Sequence, residues 1–75
     1  MSKTKYAVCT LRRHDGALIP EHWYIDTREE AVETRAMMES HCPESLWLIT
    51  TYRAPHHQMG GNEVFSVINT ARFSL

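Results

Sequence analysis

The sequence predicts one small α+β domain, in which an antiparallel sheet of ββαβ order forms two layers with one packed helix, and a C-terminal strand or helix follows. Three observations support this prediction. Residues 6–13 and 46–53 are rich in β-branched and aromatic residues that alternate with a period of two. Between them, a capping signal at Thr27 introduces an acidic helical segment that ends before Pro43. The length of 75 residues and the hydrophobic content of 43% suit one globular domain and exclude a multidomain enzyme.

The first two strands are predicted to form a hairpin. Residues 6–13 place their small and apolar side chains on one face at every second position. Asp15 and Gly16 follow, and this pair favours the positive φ angles of a type I′ turn. Pro20 cannot donate to a ladder, so we expect the returning strand to lie at a sheet edge, with residues 22–25 as its better-formed half.

The clearest local signal in the chain is the start of the helix. Thr27 can accept a hydrogen bond from the first turn, and Glu30, three residues later, completes a capping box. The helix is predicted over residues 28–41, because Pro43 disfavours helical geometry in the residue before it. Its predicted core face contains Ala31, Met38 and Cys42, flanked by Val32 and Ala36 and interrupted by Arg35.

The last third of the chain contains the strongest predicted strand and one segment that fits both a helix and a strand. Residues 46–53 are predicted to form the central strand of the sheet. Residues 54–62 contain a proline, two histidines and two glycines without an apolar period, and we expect a mobile loop there. Residues 64–75 fit a helix capped by Asn62 and also fit a strand interrupted only by Asn69, so periodicity leaves both readings open.

Charge is distributed unevenly along the chain, although the net charge is only −1. Residues 15–44 hold eight acidic residues against two arginines, a net charge of −6. An acidic surface repels phosphate backbones and attracts basic surfaces, so we expect no nucleic-acid partner. Neither a signal peptide nor an apolar run long enough to span a membrane is recognisable. We therefore expect a cytoplasmic protein, without a membrane partner, in which Cys9 and Cys42 are free thiols.

The five histidines raise the question of a metal site. His41 and Cys42 end the predicted helix, and His56 and His57 lie in the predicted loop. Zinc ligands usually come in pairs separated by two to four residues, whereas the residues of these pairs are adjacent, so no metal site is predicted. The chain has no glycine-rich phosphate loop, nucleophile elbow or metalloprotease motif. We therefore predict a protein without enzymatic activity and without a cofactor.

Aromatic residues are abundant on the predicted strands. Neighbouring residues of a strand face opposite sides, so at least one of Trp23 and Tyr24 must point away from the helix, and the same holds for Trp47 and Tyr52. A two-layer domain leaves its second sheet face open, and exposed aromatic residues commonly anchor interfaces. An acidic helix face would steer a basic partner surface towards the protein. The residues predicted to bind a partner are Trp23, Tyr24, Glu29, Glu33, Trp47 and Tyr52.

The elements follow one another in a distinctive order. A hairpin ends in YIDT, the acidic helix REEAVETRAMMES follows, and a proline leads to the strand LWLITTYRAP. Over residues 6–55 this outline resembles small early phage proteins that bind and inhibit host machinery, and it is similar to the small RNA polymerase inhibitors of T7-type phages. The resemblance implies a phage or prophage accessory factor, and it assigns no role to an individual residue.

The leading hypothesis is therefore a non-enzymatic protein that binds a host or bacterial protein and modulates or inhibits it. The alternative is a small-ligand or nucleotide-binding protein that sequesters an anion in the cleft of a homodimer. Arginine and histidine side chains suit such a ligand. The residues predicted for this alternative are Arg12, Arg53, His56 and His57.

Overall fold

The computed structural model describes the backbone of residues 3–73 and the side chains of residues 3–70. It confirms the α+β class, because three strands form one antiparallel sheet and two helices pack on that sheet. The elements are β1 Lys3–Leu11, β2 Leu18–Ile25, α1 Arg28–His41, β3 Trp47–Ala54 and α2 Gly61–Phe73. The segment that fits both a helix and a strand, residues 64–75, is thus helical as far as residue 73, and residues 74 and 75 lie outside the described residues.

The β1–β2 hairpin closes through a wider turn than the predicted type I′ turn. A type I′ turn needs positive φ at both central residues, but Gly16 has it (φ 73°) and Asp15 does not. The Asp15 carboxylate instead accepts the Ala17 N–H at 3.1 Å, while the Arg12 N–H donates to the Ala17 carbonyl at 2.8 Å. β2 contains Pro20 and lies at a sheet edge, as predicted. Its regularly paired half is residues 18–20, so the prediction that residues 22–25 form the better half is wrong, because the register shifts on both sides of His22.

The sheet has the order β2-β1-β3, so β1 is the central strand. The prediction that residues 46–53 form the centre is wrong, because β3 pairs with β1 alone and lies at the edge opposite β2. In β3, Tyr52 and Ala54 are buried, whereas Thr51 and Arg53 between and beside them are exposed. A strand that buries alternate residues in this way suits an edge.

Both faces of β1 are covered. Ala7, Val8 and Cys9 are consecutive and fully buried, and this requires packing on both sides because successive side chains of a strand point to opposite faces. α2 packs on the side of Ala7 and Cys9. α1 crosses the other side, where Met38 contacts His22, the strand partner of Val8. The sheet face that was expected to stay open is therefore covered by α2.

α1 begins and ends where the sequence predicts. The Thr27 hydroxyl accepts the N–H of Glu30 at 3.2 Å and so satisfies one of the free donors of the first turn. The Cys42 N–H closes the last turn, and a proline follows. Val32 and Ala36 are exposed, so the prediction that they flank the core is wrong.

The first residue of α2 lies against a side chain of β2. Gly61 is the first residue of the helix, and a Cβ atom on it would lie 3.2 Å from the Trp23 ring, so a side chain at this position would displace that ring. The Gly60 carbonyl accepts the Val64 N–H at 3.1 Å. Asn62 therefore lies inside the first turn and does not occupy the capping position that was predicted for it.

The side chain of Asn69 joins α2 to the start of β2 through hydrogen bonds. It accepts the Leu18 N–H at 3.0 Å and donates to the carbonyls of Leu18 and Phe65, each at 2.9 Å. The amide thus pairs with the edge of β2 much as a neighbouring strand would. Asn69 is only 7% exposed, so the polar residue that interrupted the strand reading is a buried and satisfied hydrogen-bonding group.

Candidate interaction surface

A β-bulge in β2 determines where two of the predicted partner-binding residues lie. The register between β1 and β2 shifts so that Trp23 and Tyr24 both oppose Ala7, and Tyr24 adopts a left-handed φ of 64°, which is rare for a bulky residue. The Trp23 Nε1–H donates to the Met59 carbonyl at 3.2 Å, and the Tyr24 hydroxyl donates to the His57 carbonyl. Both rings therefore lie on the α2 side and point away from α1, but they pack against α2 and the loop before it.

The other two aromatic residues belong to the interior. Trp47 and Tyr52 are each 5% exposed. The Trp47 Nε1–H donates to the Cys42 carbonyl at 2.9 Å, and the Tyr52 hydroxyl accepts the Tyr24 N–H at 2.9 Å. The rings of Tyr24 and Tyr52 also meet edge to face, with centroids 6.4 Å apart. These contacts stabilise the fold, and the predicted exposed aromatic face is not formed.

Burial changes the acid–base chemistry of two groups in this interior. Burial, together with the negative charge of Glu21, raises the pKa of the Cys9 thiol to about 12. Burial likewise raises the pKa of the Tyr52 hydroxyl above its usual value. Both cysteines are free, but a thiol that stays protonated and buried is a poor nucleophile, so Cys9 is not a candidate for chemistry.

The acidic side chains of α1 form an exposed surface. Glu29 and Glu33 point away from the sheet, because the buried side of the helix is centred on Ala31. Neither glutamate forms an ion pair with a described residue. Val32 and Met37 flank them and are 40% and 46% exposed. We call the surface made by Glu29, Val32, Glu33 and Met37 the outer face of α1.

The four residues predicted for an anion-binding cleft do not come together within one chain. Arg12 follows β1 at one end of the sheet, whereas Arg53 pairs with Thr4 near the other end. The eight residue steps from Thr4 to Arg12 correspond to about 26 Å at the rise of a strand. His56 and His57 lie in the exposed loop after β3, at the end of the sheet that carries Arg53.

Two members of that set also have other partners. The Arg12 guanidinium binds the Asp15 carboxylate through two nitrogens, at 3.0 and 2.7 Å, and this hydrogen bonding holds the pKa of the carboxyl well below its usual range. The same guanidinium lies 5.4 Å from the centre of the Phe65 ring. His57 lies 3.7 Å from a carboxylate oxygen of Glu63. The homodimer cleft lined by these residues stays a prediction.

The residues considered for a metal site are separated by the length of β3. His41 and Cys42 precede this strand, and His56 and His57 follow it. Across the side chains of residues 3–70, no group of three or more histidine, cysteine, aspartate or glutamate residues is arranged to hold a metal ion. Within the described part of the chain, no helix is long and apolar enough to cross a membrane.

No family model, curated protein or solved structure matches this chain. The resemblance to early phage proteins therefore stays a prediction, and function is inferred from the surfaces of the molecule itself.

One feature with functional potential was not foreseen from the sequence: a groove between α1 and β3 that Arg28 and Arg35 line. The one indication of this groove in the sequence is Arg35, a charged residue that interrupts the apolar stripe of α1. The bulge in β2 had a weaker signal. Pro20 indicates irregular pairing in that strand, but it does not indicate which residues bulge.

Proposed function

We propose that the protein is a non-enzymatic interaction protein that binds a basic surface of a host protein through the outer face of α1. The observation that supports this proposal is the exposure of Glu29 and Glu33 on one side of the helix, without an ion pair to any described residue. Unpaired surface acids strengthen the local negative potential, which attracts basic surfaces. Binding there would modulate or inhibit the host protein, as the resemblance to early phage proteins implies.

The apolar part of the contact would come from the residues that flank the acids. Val32 and Met37 are large apolar side chains with 40% and 46% of their surface exposed. Methionine adapts its shape to irregular partner surfaces, so Met37 suits this role. Charges at the rim of an interface mainly set the association rate, whereas buried apolar contacts mainly slow dissociation. Val32 and Met37 thus take the role that the sequence assigned to exposed tryptophan and tyrosine.

Reversal of both acidic charges tests the proposal. The double variant Glu29→Lys with Glu33→Lys is compared with Glu44→Lys with Glu63→Lys, which changes the net charge equally at exposed sites away from the outer face. Each immobilised protein captures partners from a bacterial lysate, and the association rate of the captured protein is then measured at several salt concentrations. We expect the first double variant to associate at least about tenfold more slowly at low salt, with a flatter salt dependence, and the second to behave like the wild type.

Two results would contradict this proposal. Equal association rates for the two double variants would show that the outer face does not steer the partner. Failure of the wild-type protein to capture any protein at low salt would contradict an interaction function altogether. As a separate check of the apolar contact, Met37→Ser should speed dissociation and leave association nearly unchanged. Self-association as a homodimer and a cytoplasmic location stay predictions.

A further inference from the structure

The groove between α1 and β3 is a second surface feature, distinct from the outer face of α1. It is half open to solvent and has a volume of about 450 Å³. Cavities of about 300–1,000 Å³ are typical of sites for small ligands. The residues that line it are Tyr6, Arg28, Arg35, Leu48, Ile49, Thr50 and Thr51, none of which is acidic.

Arg28 and Arg35 give the groove two positive charges without a countercharge. Their spacing of seven residues places them on the same side of α1, two turns apart. Neither arginine forms an ion pair with a described residue. Arg12 offers a contrast, because its guanidinium is bound by the Asp15 carboxylate through two nitrogens. The positive charge in the groove is therefore available to a ligand.

A second, independent observation concerns a single atom. The Nε atom of Arg35 is buried and has no hydrogen-bond partner. Buried donors are almost always paired, and an unpaired donor on a charged group is commonly explained by a bound ion or water. The buried Nε–H of Arg35 is thus left without an acceptor, and Arg35 itself lines the groove.

We infer that this groove binds the phosphate group of a small ligand, held between the guanidinium groups of Arg28 and Arg35. A phosphate matches both the charge and the geometry, since it carries close to two negative charges and each guanidinium can bind two of its oxygens. The hydroxyl groups of Tyr6 and Thr51, which pair across the strands and share the α1 side of the sheet, are further hydrogen-bond donors among the lining residues. A carboxylate would balance only one of the two arginines. The cavity exceeds the size of phosphate alone, and Ile49, whose strand partner Val8 faces α1, supplies an apolar contact for an organic part.

NMR titration at constant ionic strength tests the inference directly. The Nε–H signal of Arg35 reports on the hydrogen-bond donor that has no partner in the chain. Inorganic phosphate is the first probe, and sodium chloride is the ionic control. We expect a saturable shift with phosphate and none with chloride. Arg28→Gln and Arg35→Gln should each weaken binding by at least about tenfold, since each removes a charged hydrogen-bonding pair. Arg13→Gln, an exposed arginine outside this groove, is the matched control and should bind like the wild type.

A second pair of probes distinguishes the source of the phosphate group. Glycerol phosphate and adenosine monophosphate are titrated in the same way. Tighter binding of either one than of inorganic phosphate would support a phosphorylated organic ligand, whereas equal affinities would support free phosphate as the ligand.

The outcomes that overturn the inference are equally specific. A shift that does not saturate, or the same shift with chloride, would mean that no site exists. Unchanged phosphate affinity in Arg28→Gln would also overturn it, and because Arg28 is exposed, this variant tests the site without disturbing the core. Thermal melting of Arg35→Gln identifies any loss of folding separately from loss of binding. None of the groove residues belongs to the outer face of α1, so this result and the test of the proposed function are independent.

Discussion

The bulge of β2 depends on one side-chain oxygen, the hydroxyl of Tyr52. This oxygen accepts the Tyr24 N–H at 2.9 Å, at the point where the bulge takes that N–H out of the ladder with β1. Tyr52 is 5% exposed, and the bond itself is partly buried. The substitution Tyr52→Phe removes the acceptor and leaves the backbone donor of Tyr24 without its partner.

The expected cost of Tyr52→Phe follows from this geometry. An unsatisfied buried donor lowers the free energy of unfolding by about 1–3 kcal/mol. The ring and its edge-to-face contact with Tyr24 are retained, so loss of packing adds little. The left-handed φ of Tyr24 is a strained conformation that the bond helps to maintain, and without the bond the bulge can relax. In a domain of 75 residues, a loss of about 2 kcal/mol lowers the Tm by roughly 8–16 °C.

Urea unfolding measures this change, with thermal melting as a second probe. Tyr6→Phe is the matched control, because no hydrogen bond joins the half-buried Tyr6 hydroxyl to a described residue. We expect the control to stay within about 0.5 kcal/mol of the wild type. Hydrogen exchange at the Tyr24 amide should be faster in Tyr52→Phe. A free energy of unfolding within about 0.5 kcal/mol of the wild type, with that amide still protected, would refute the reasoning.

Four further predictions concern the helices and the buried thiol. Asn69→Ala should cost about 1–3 kcal/mol in urea unfolding, because it unpairs the edge of β2, whereas the exposed Asn62→Ala should cost less than about 0.5 kcal/mol. Thr27→Ala should lower the free energy of unfolding by about 1 kcal/mol, and Thr27→Ser should lower it much less. Equal losses in the two variants would contradict the capping role. In the folded protein an alkylating reagent should modify Cys42 and not Cys9, as mass spectrometry would show. The pKa of the Cys9 thiol is about 12 in the folded protein against 9.0 in the unfolded chain, so the unfolded chain loses the thiol proton first as the pH rises. The free energy of unfolding should therefore fall above about pH 9, and Cys9→Ala should make this fall less steep.

α1 separates charges of opposite sign on its two sides. Glu29 and Glu33 occupy the outer face, and Arg28 and Arg35 line the groove on the side of β3. The net charge of the segment therefore conceals two different surfaces, one suited to a basic protein and one suited to a phosphate group. Because the two surfaces share a helix, occupation of the groove can be compared with partner binding in the same sample, and the variants proposed for each leave the other intact.

The exposure of an acidic residue was easier to predict from the sequence than the exposure of an aromatic residue. An exposed glutamate on a capped helix is a local inference, and Glu29 and Glu33 are exposed as expected. The positions of Trp23 and Tyr24 depended on strict alternation along β2, which a single extra residue in the bulge cancels. The side chain of a tryptophan or tyrosine is also large enough to reach distant hydrogen-bond partners, so its exposure depends on the rest of the fold.

The sequence by itself determined the elements whose causes are local. The Thr27 cap and Pro43 bound α1 at the observed residues, Pro20 placed β2 at an edge, and the alternating segments became β1 and β3. The tertiary structure alone decided the strand order, the bulge, the helical conformation of α2 and the groove of Arg28 and Arg35. The physical reason is that these features depend on contacts between distant residues, as in the hydrogen bonds that join Asn69 to a strand 51 positions earlier in the chain.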